Sequence, residues 1–175
     1  MKSVEYLSLD QKTSIGEKRN LAVKHSKHDI IMMMDDDDIY PPRHALIKVS
    51  YLRHYNKLCG FCTSIGCFHI KKLISTINVP PLEIPPENRV SEATLCFYRS
   101  FWNDRGFQDK DVGAEAEYFI KGRYDQCVNY PWRSVIVSLL HSNNISTRVK
   151  NIGDEPNGCH FGLSDELFSF ITSLE

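Results

Sequence analysis

The sequence predicts an α/β fold, a mixed sheet flanked by helices, and three stretches predict it. Ile30-Ile31-Met32-Met33-Met34 is a short apolar run that ends at once in Asp35-Asp36-Asp37-Asp38, the pattern of a buried strand with a polar turn at its end. Ser14-Ile15-Gly16-Glu17 has capping-box spacing before it, so a helix is expected from Ser14 to about Lys27. Ser164 with Asp165, Glu166 and apolar Leu167, Phe170, Ile171 and Leu174 marks a closing amphipathic helix.

Taken in order, Val4 to Leu9 alternates and reads as a first strand. With the helix and the strand over 29–34 it would make a strand-helix-strand unit with parallel pairing. The aspartates would then lie at the carboxyl end of a sheet strand, the edge at which open α/β sheets bind ligands. Arg43 to Tyr55 reads as a helix with Ala45, Val49 and Leu52 on its apolar face. Leu58 to Cys62, Cys67 to Ile70, Thr94 to Tyr98 and Ser134 to Leu140 read as strands. The segment 80–91 holds four prolines and reads as a loop. A short helix over 114–121 is closed by Gly122. Residues 1–150 are expected to form one domain, with 151–175 an appended loop and helix.

Composition narrows the function classes. The chain is 42% hydrophobic and 25% charged with a formal net charge of −1, so no global charge argues for nucleic acid or membrane. No basic stripe with interleaved aromatics is present, and no apolar run approaches the length of a membrane span. The N-terminal residues lack a signal-peptide core, and six dispersed cysteines read as reduced thiols. The expected location is cytoplasmic.

Four adjacent carboxylates at a rigid position repel one another. At about 4 Å each pair costs about 4 kcal/mol at an effective dielectric near 20. A divalent ion with oxygen ligands would relieve this; the plain alternative is an acidic turn splayed into water. Lys18 and Arg19 lie near the predicted helix start, where cations oppose the dipole unless an anion is close. The aspartates or a bound phosphate could supply it; otherwise both cations face solvent.

Ser14 to Ala22, carrying Gly16, Arg19 and Asn20 in a G-x-x-R-N pattern, followed by Asp29 to Pro41 with its Asp run, resembles the family 2 glycosyltransferases of the GT-A fold. Thr94 to Trp102 with Phe107 resembles that family's acceptor-side strand and turn. Gly113 to Phe119 stands where the family carries its acidic base. Val135 to His141, with Asn144, Ser146 and Arg148, resembles its closing strand. The resemblance spans about residues 4 to 150 and implies a reduced, Rossmann-related GT-A-like sheet lacking the family's first strand-helix-strand. It implies a metal-dependent inverting transferase that moves a sugar from a nucleotide-diphosphate sugar to a sugar or protein acceptor hydroxyl. Asp35, Asp37 and His141 would hold Mn2+ or Mg2+. Lys18, Arg19, Asn20, Asp35 and Asp36 would contact the nucleotide sugar, and Asp38 would be an extra ligand or a supporting group. Glu115 would be the base, although Ala116 replaces the family's second acid and a glutamate opening a helix also simply complements the dipole.

The missing front strands imply an open donor site, completion by a homo-oligomer or larger assembly, or lost transfer activity. A reduced version would suit a large DNA virus and could be a non-catalytic binder of nucleotides or host proteins. A separate expectation comes from Cys59, Cys62, Cys67 and His69. They could form a zinc site of Cys3His type in an interaction protein, or be buried thiols in a strand pair. The aromatics from Phe97 to Phe107 suit a core, or a wall for a sugar ring.

Overall fold

The structure is a computed structural model that describes residues 4–111, 115–141, 144, 154–159, 161 and 163–173; the side chains of Glu115 and Ala116 are outside that description. Two mixed sheets carry the fold. The first has strand order β1-β5-β2-β6, built from β1 (Ile30–Met32), β2 (Cys59–Cys62), β5 (Ser91–Tyr98) and β6 (Cys127–Asn129). The second has order β4-β3-β7, built from β3 (Ile65–His69), β4 (Ile74–Asn78) and β7 (Val137–Leu140). The helices are α1 (Ile15–His25), α2 (His44–His54), α3 (Arg99–Asp104), α4 (Glu115–Ile120) and α5 (Asp165–Thr172).

Local signals placed most of these elements. Ser14 Oγ accepts the Glu17 N–H at 3.1 Å and starts α1, and Ser164 Oγ does the same for Leu167 at the start of α5. Each cap satisfies one of the donors that a helix start leaves without an internal partner. Gly122 follows α4 at φ +75°, the left-handed conformation that glycine adopts without a side-chain penalty.

Pairing departs from expectation. Residues 4–9 form no strand, so the strand-helix-strand unit is absent, and β1 pairs antiparallel with β5, Ile31 opposite Phe97. Alternation alone does not make a strand: Val4, Tyr6, Leu7 and Leu9 are all exposed and have no apolar face to bury. The parallel pairs are instead β2 with β6 and β3 with β7. The expected strand over 134–140 begins later, because Trp132–Ser134 is a 3-10 turn.

The core has three parts. The largest joins α1, the first sheet and α4 through Val23, Leu95, Phe97, Phe101, Phe107 and Phe119. Phe107 and Phe119 stack at 4.3 Å between centroids, so the aromatic cluster read from the sequence is packing. The second part lies under α2, and the third joins the second sheet to α5 through Phe68, Leu139 and Ile171. The buried side of α2 is not the one the apolar residues mark. His44, Lys48 and Leu52 are buried, while Ala45 is exposed and Val49 only half-buried.

The Asp35–Asp38 loop lies where the sheets meet. It leaves β1 of the first sheet, and Ile39 then forms an antiparallel bridge with Val137 of the second, with N–H to O distances of 2.9 and 2.8 Å.

Candidate functional site

The carboxylates converge. Asp35, Asp37 and Asp38 each place one oxygen within 4.8 Å of the others. Among the described residues this is the one group of three or more His, Cys, Asp or Glu side chains close enough to hold a metal ion. Asp36 is exposed in the turn and outside the group.

Neighbouring elements aim each member. Asp38 is held from β7, where its Oδ1 accepts the Leu139 N–H at 3.1 Å. Asp37 Oδ2 lies 3.2 Å from Nε2 of His141, the residue directly after β7. Asp35 faces Arg19 of α1, with a guanidinium nitrogen 3.9 Å from Oδ1. The Asp35 backbone N–H donates to the Tyr40 hydroxyl at 2.8 Å, and that hydroxyl donates to the Ala93 carbonyl of β5 at 3.3 Å. Strand, helix and loop therefore deliver acids and a histidine to one place.

Burial is the main reason that the Asp38 carboxyl is pushed up to about 6, with Asp37 and Asp35 adding to the rise and the Ser138 and Leu139 hydrogen bonds opposing it. The folded state thus favours protonated Asp38. Its stabilising effect is complete below the unfolded value of 3.8 and is lost as pH rises through 6. Wild type should accordingly lose roughly 2–3 kcal/mol across that window. Asp38→Asn keeps an acceptor for the Leu139 N–H and removes the charge. Urea unfolding of both proteins from pH 4 to 7 should show the variant gaining on wild type as pH rises; parallel curves would contradict the assignment.

His141 has a constrained role. Asn144 Oδ1 accepts the His141 N–H at 2.6 Å and its amide nitrogen donates to Leu139 O at 3.3 Å. These bonds fix which end of the amide meets Nε2 at 3.0 Å. Nε2 can accept from Asn144 or donate to Asp37, but not both at once. The ring is held beside Asp37, next to but outside the three-carboxylate group.

Other residues singled out by the sequence go elsewhere. Asn20 of α1 clasps the 102–107 turn: its Oδ1 accepts from Trp102 Nε1 and Phe107 N, and its amide nitrogen donates to Phe107 O, all at 2.9 Å. Lys18 is exposed and lines a shallow cavity of about 620 Å³ with residues 5–12, Leu21 and Ala22; none of the clustered carboxylates lines it. The start of α1 is closed to a phosphate at Gly16, whose N–H donates to the Lys110 carbonyl at 3.2 Å. Glu115 opens α4, but its side chain lies outside the described residues, as do Ser146 and Arg148.

The zinc expectation is corrected. Cys59 and Cys62 sit three apart on β2, and side chains of a strand alternate between faces. Cys59 packs with Phe61, Leu95 and Phe97, whereas Cys62 packs with Leu52, Cys96 and Tyr130. Cys67 and His69 belong to β3 of the other sheet, and His69 Nδ1 accepts the Lys72 N–H at 3.3 Å. Burial raises these thiols, Cys62 to about 12 and Cys67 to about 11, which opposes the thiolate form that zinc needs.

The parts played by Tyr40 and Asn144, and the full part of Asp38, escaped the sequence reading. The stiff Tyr40-Pro41-Pro42 run after the acids was the available signal for Tyr40; for Asn144 it was the resemblance of the 135–148 segment, which named the residue without its role.

Residues 1–78 match the model of the family described as glycosyl transferase family 2. The matched segment is a little under half of the chain. It contains Arg19, all four aspartates and Tyr40, while His141 and Glu115 lie beyond it. No curated protein matches the chain. Among solved structures it is similar to a mannosyltransferase from Pyrobaculum calidifontis in complex with GDP-Man and Mn2+. The TM-score is 0.52 at 17% identity, covering 77% of this chain and 39% of that one. At that identity the likeness is one of fold: a mixed α/β, GT-A-like architecture, of which this chain spans 39% of the relative's length. No helix among the described residues is long and apolar enough to cross a membrane.

Proposed function

We propose that the chain is a metal-dependent glycosyltransferase that takes a sugar from a nucleotide-diphosphate sugar and passes it, with inversion, to an acceptor hydroxyl. The observation that carries this reading is the convergence of Asp35, Asp37 and Asp38 beside Arg19 and His141 in and next to a family 2 segment. The donor set suits Mn2+ or Mg2+: hard carboxylate oxygens with one imidazole nitrogen at hand, and a repulsion that a divalent cation relieves. The Mn2+ and GDP-Man of the structural relative agree with this choice.

Asp37 and His141 would hold the ion together with Asp35 and Asp38. When bound, the ion supplies charge neutralisation for the departing nucleoside diphosphate. Arg19 stands beside Asp35 and would meet the diphosphate or ribose from the α1 side. Glu115 would take the acceptor proton as the acceptor oxygen bonds to the anomeric carbon and the bond to the diphosphate breaks. Lys18 and Asn20 are weaker candidates for nucleotide contact, given where their side chains lie.

A thermal-shift panel of nucleoside diphosphates with and without Mn2+ tests the reading. A ligand that binds the folded state alone at about 100 times its Kd adds about 2.7 kcal/mol, so a rise of about 5–10 °C is expected when nucleotide and Mn2+ are both present. No rise with any nucleotide would overturn it. Binding without sugar transfer would instead identify a nucleotide-binding descendant.

A further inference from the structure

We propose that Lys48 is a positioning residue for the carboxylate loop: its buried amine, packed over the Tyr40 ring, fixes the phenol that holds the Asp35 backbone. Lys48 has 0% exposure, and its Nζ has no hydrogen-bond partner among the described residues. A lysine so placed is costly where a methionine of similar length would fill the same space. Its amine lies 5.5 Å from the centroid of the Tyr40 ring, within reach of the electron-rich face. Burial lowers the amine toward about 8, with the nearby Cys96 and Cys62 opposing that shift.

Tyr40 links this amine to the loop. Its hydroxyl accepts the Asp35 N–H and donates to Ala93 of β5. A side chain pinned only at its tip can still pivot. Lys48 on the ring face and His44 at 5.1 Å between centroids remove that freedom. Lys48 and His44 are one helical turn apart on α2, so a rigid element braces the ring from behind. Pro41 and Pro42 stiffen the chain that follows. The consequence reaches Asp35, the first member of the cluster, through two contacts.

The inference rests on the proposed function only for its metal-binding consequence, and the test separates the two. Amide hydrogen exchange at Asp35, followed by NMR in the full chain without metal, is compared in wild type, Lys48→Met, Tyr40→Phe and the double variant. Lys48→Met should speed exchange at Asp35 about fivefold, while leaving the thermal midpoint unchanged or higher because an unpartnered amine is gone. Tyr40→Phe should speed it at least as much, and adding Lys48→Met to Tyr40→Phe should add nothing. Lys48→Leu serves as a second variant if the methionine packs poorly. Unchanged exchange at Asp35 in both Lys48 variants, or effects of Lys48→Met and Tyr40→Phe that multiply, would overturn the proposal. Mn2+ titration of the same proteins should show weaker binding in Lys48→Met. Absence of Mn2+ binding to wild type defeats the metal reading, and the exchange comparison still decides the role of Lys48.

Discussion

Asp37→Ala should lose Mn2+ binding by at least about 100-fold while the metal-free protein stays folded and becomes no less stable. The two effects have opposite signs for one reason. Asp37 is the carboxylate that meets His141, at 3.2 Å, and belongs to the three-acid cluster. Even supporting residues around a metal typically cost 10–100-fold when removed, so a ligand itself should cost more. Without metal, the same carboxylate is a burden on its neighbours. Its side chain is 47% exposed, so solvent screens the repulsion, and its removal should stabilise by only about 0–1 kcal/mol. Mn2+ titration by calorimetry and urea unfolding, run on the same preparation, check both. A variant that binds Mn2+ as tightly as wild type would show that the cluster is an acidic turn.

Gly16→Ala should destabilise the protein by about 2–4 kcal/mol, although alanine is the better helix former by about 1 kcal/mol. Gly16 is buried in the first turn of α1. A Cβ there would stand 1.8 Å from the Gln108 carbonyl oxygen and 2.9 Å from its carbon. These are backbone atoms, so no rotamer change makes room. Separating α1 from residues 108–110 would also strain the Asn20 clasp and weaken the Gly16 to Lys110 hydrogen bond. Ala22→Gly, at an exposed position of the same helix, is the control. It should cost about 1 kcal/mol from propensity alone. Thermal melts should rank Gly16→Ala well below Ala22→Gly; the reverse order would mean that the close approach relaxes at little cost.

The elements that the sequence made legible are those whose cause is local. Ser14 and Ser164 cap within three residues, and the run from Ile30 into four aspartates announces a strand end without reference to the rest of the chain. What stayed hidden depends on distant partners. Nothing between Val4 and Leu9 says that no strand will pair with them, and nothing in β1 says that its neighbour is antiparallel and more than sixty residues away. The three-residue β6 is too short for any periodicity. α2 misled because its buried side includes a lysine and a histidine, which hydrophobic patterning assigns to solvent. In the site, the nearness of Arg19 to the aspartates was readable, since both lie in one local unit. The part played by Asp38 was only half seen, because its hydrogen-bond partner Leu139 comes from the far end of the chain. The Cys59–His69 cluster failed for a geometric reason: extended backbone separates side chains that spacing alone brings together.

The bonds that orient Asp38 and Asp37 span 101 and 104 residues of chain. Closing a loop of that size carries an entropy penalty that two hydrogen bonds cannot meet alone; the two sheets must already be assembled. A fragment ending at residue 78 would hold the segment that matches the family 2 model and all four aspartates, yet it would lack the strand that orients Asp37 and Asp38. During synthesis the contacts that orient Asp37 and Asp38 can therefore form only after residue 141 has emerged.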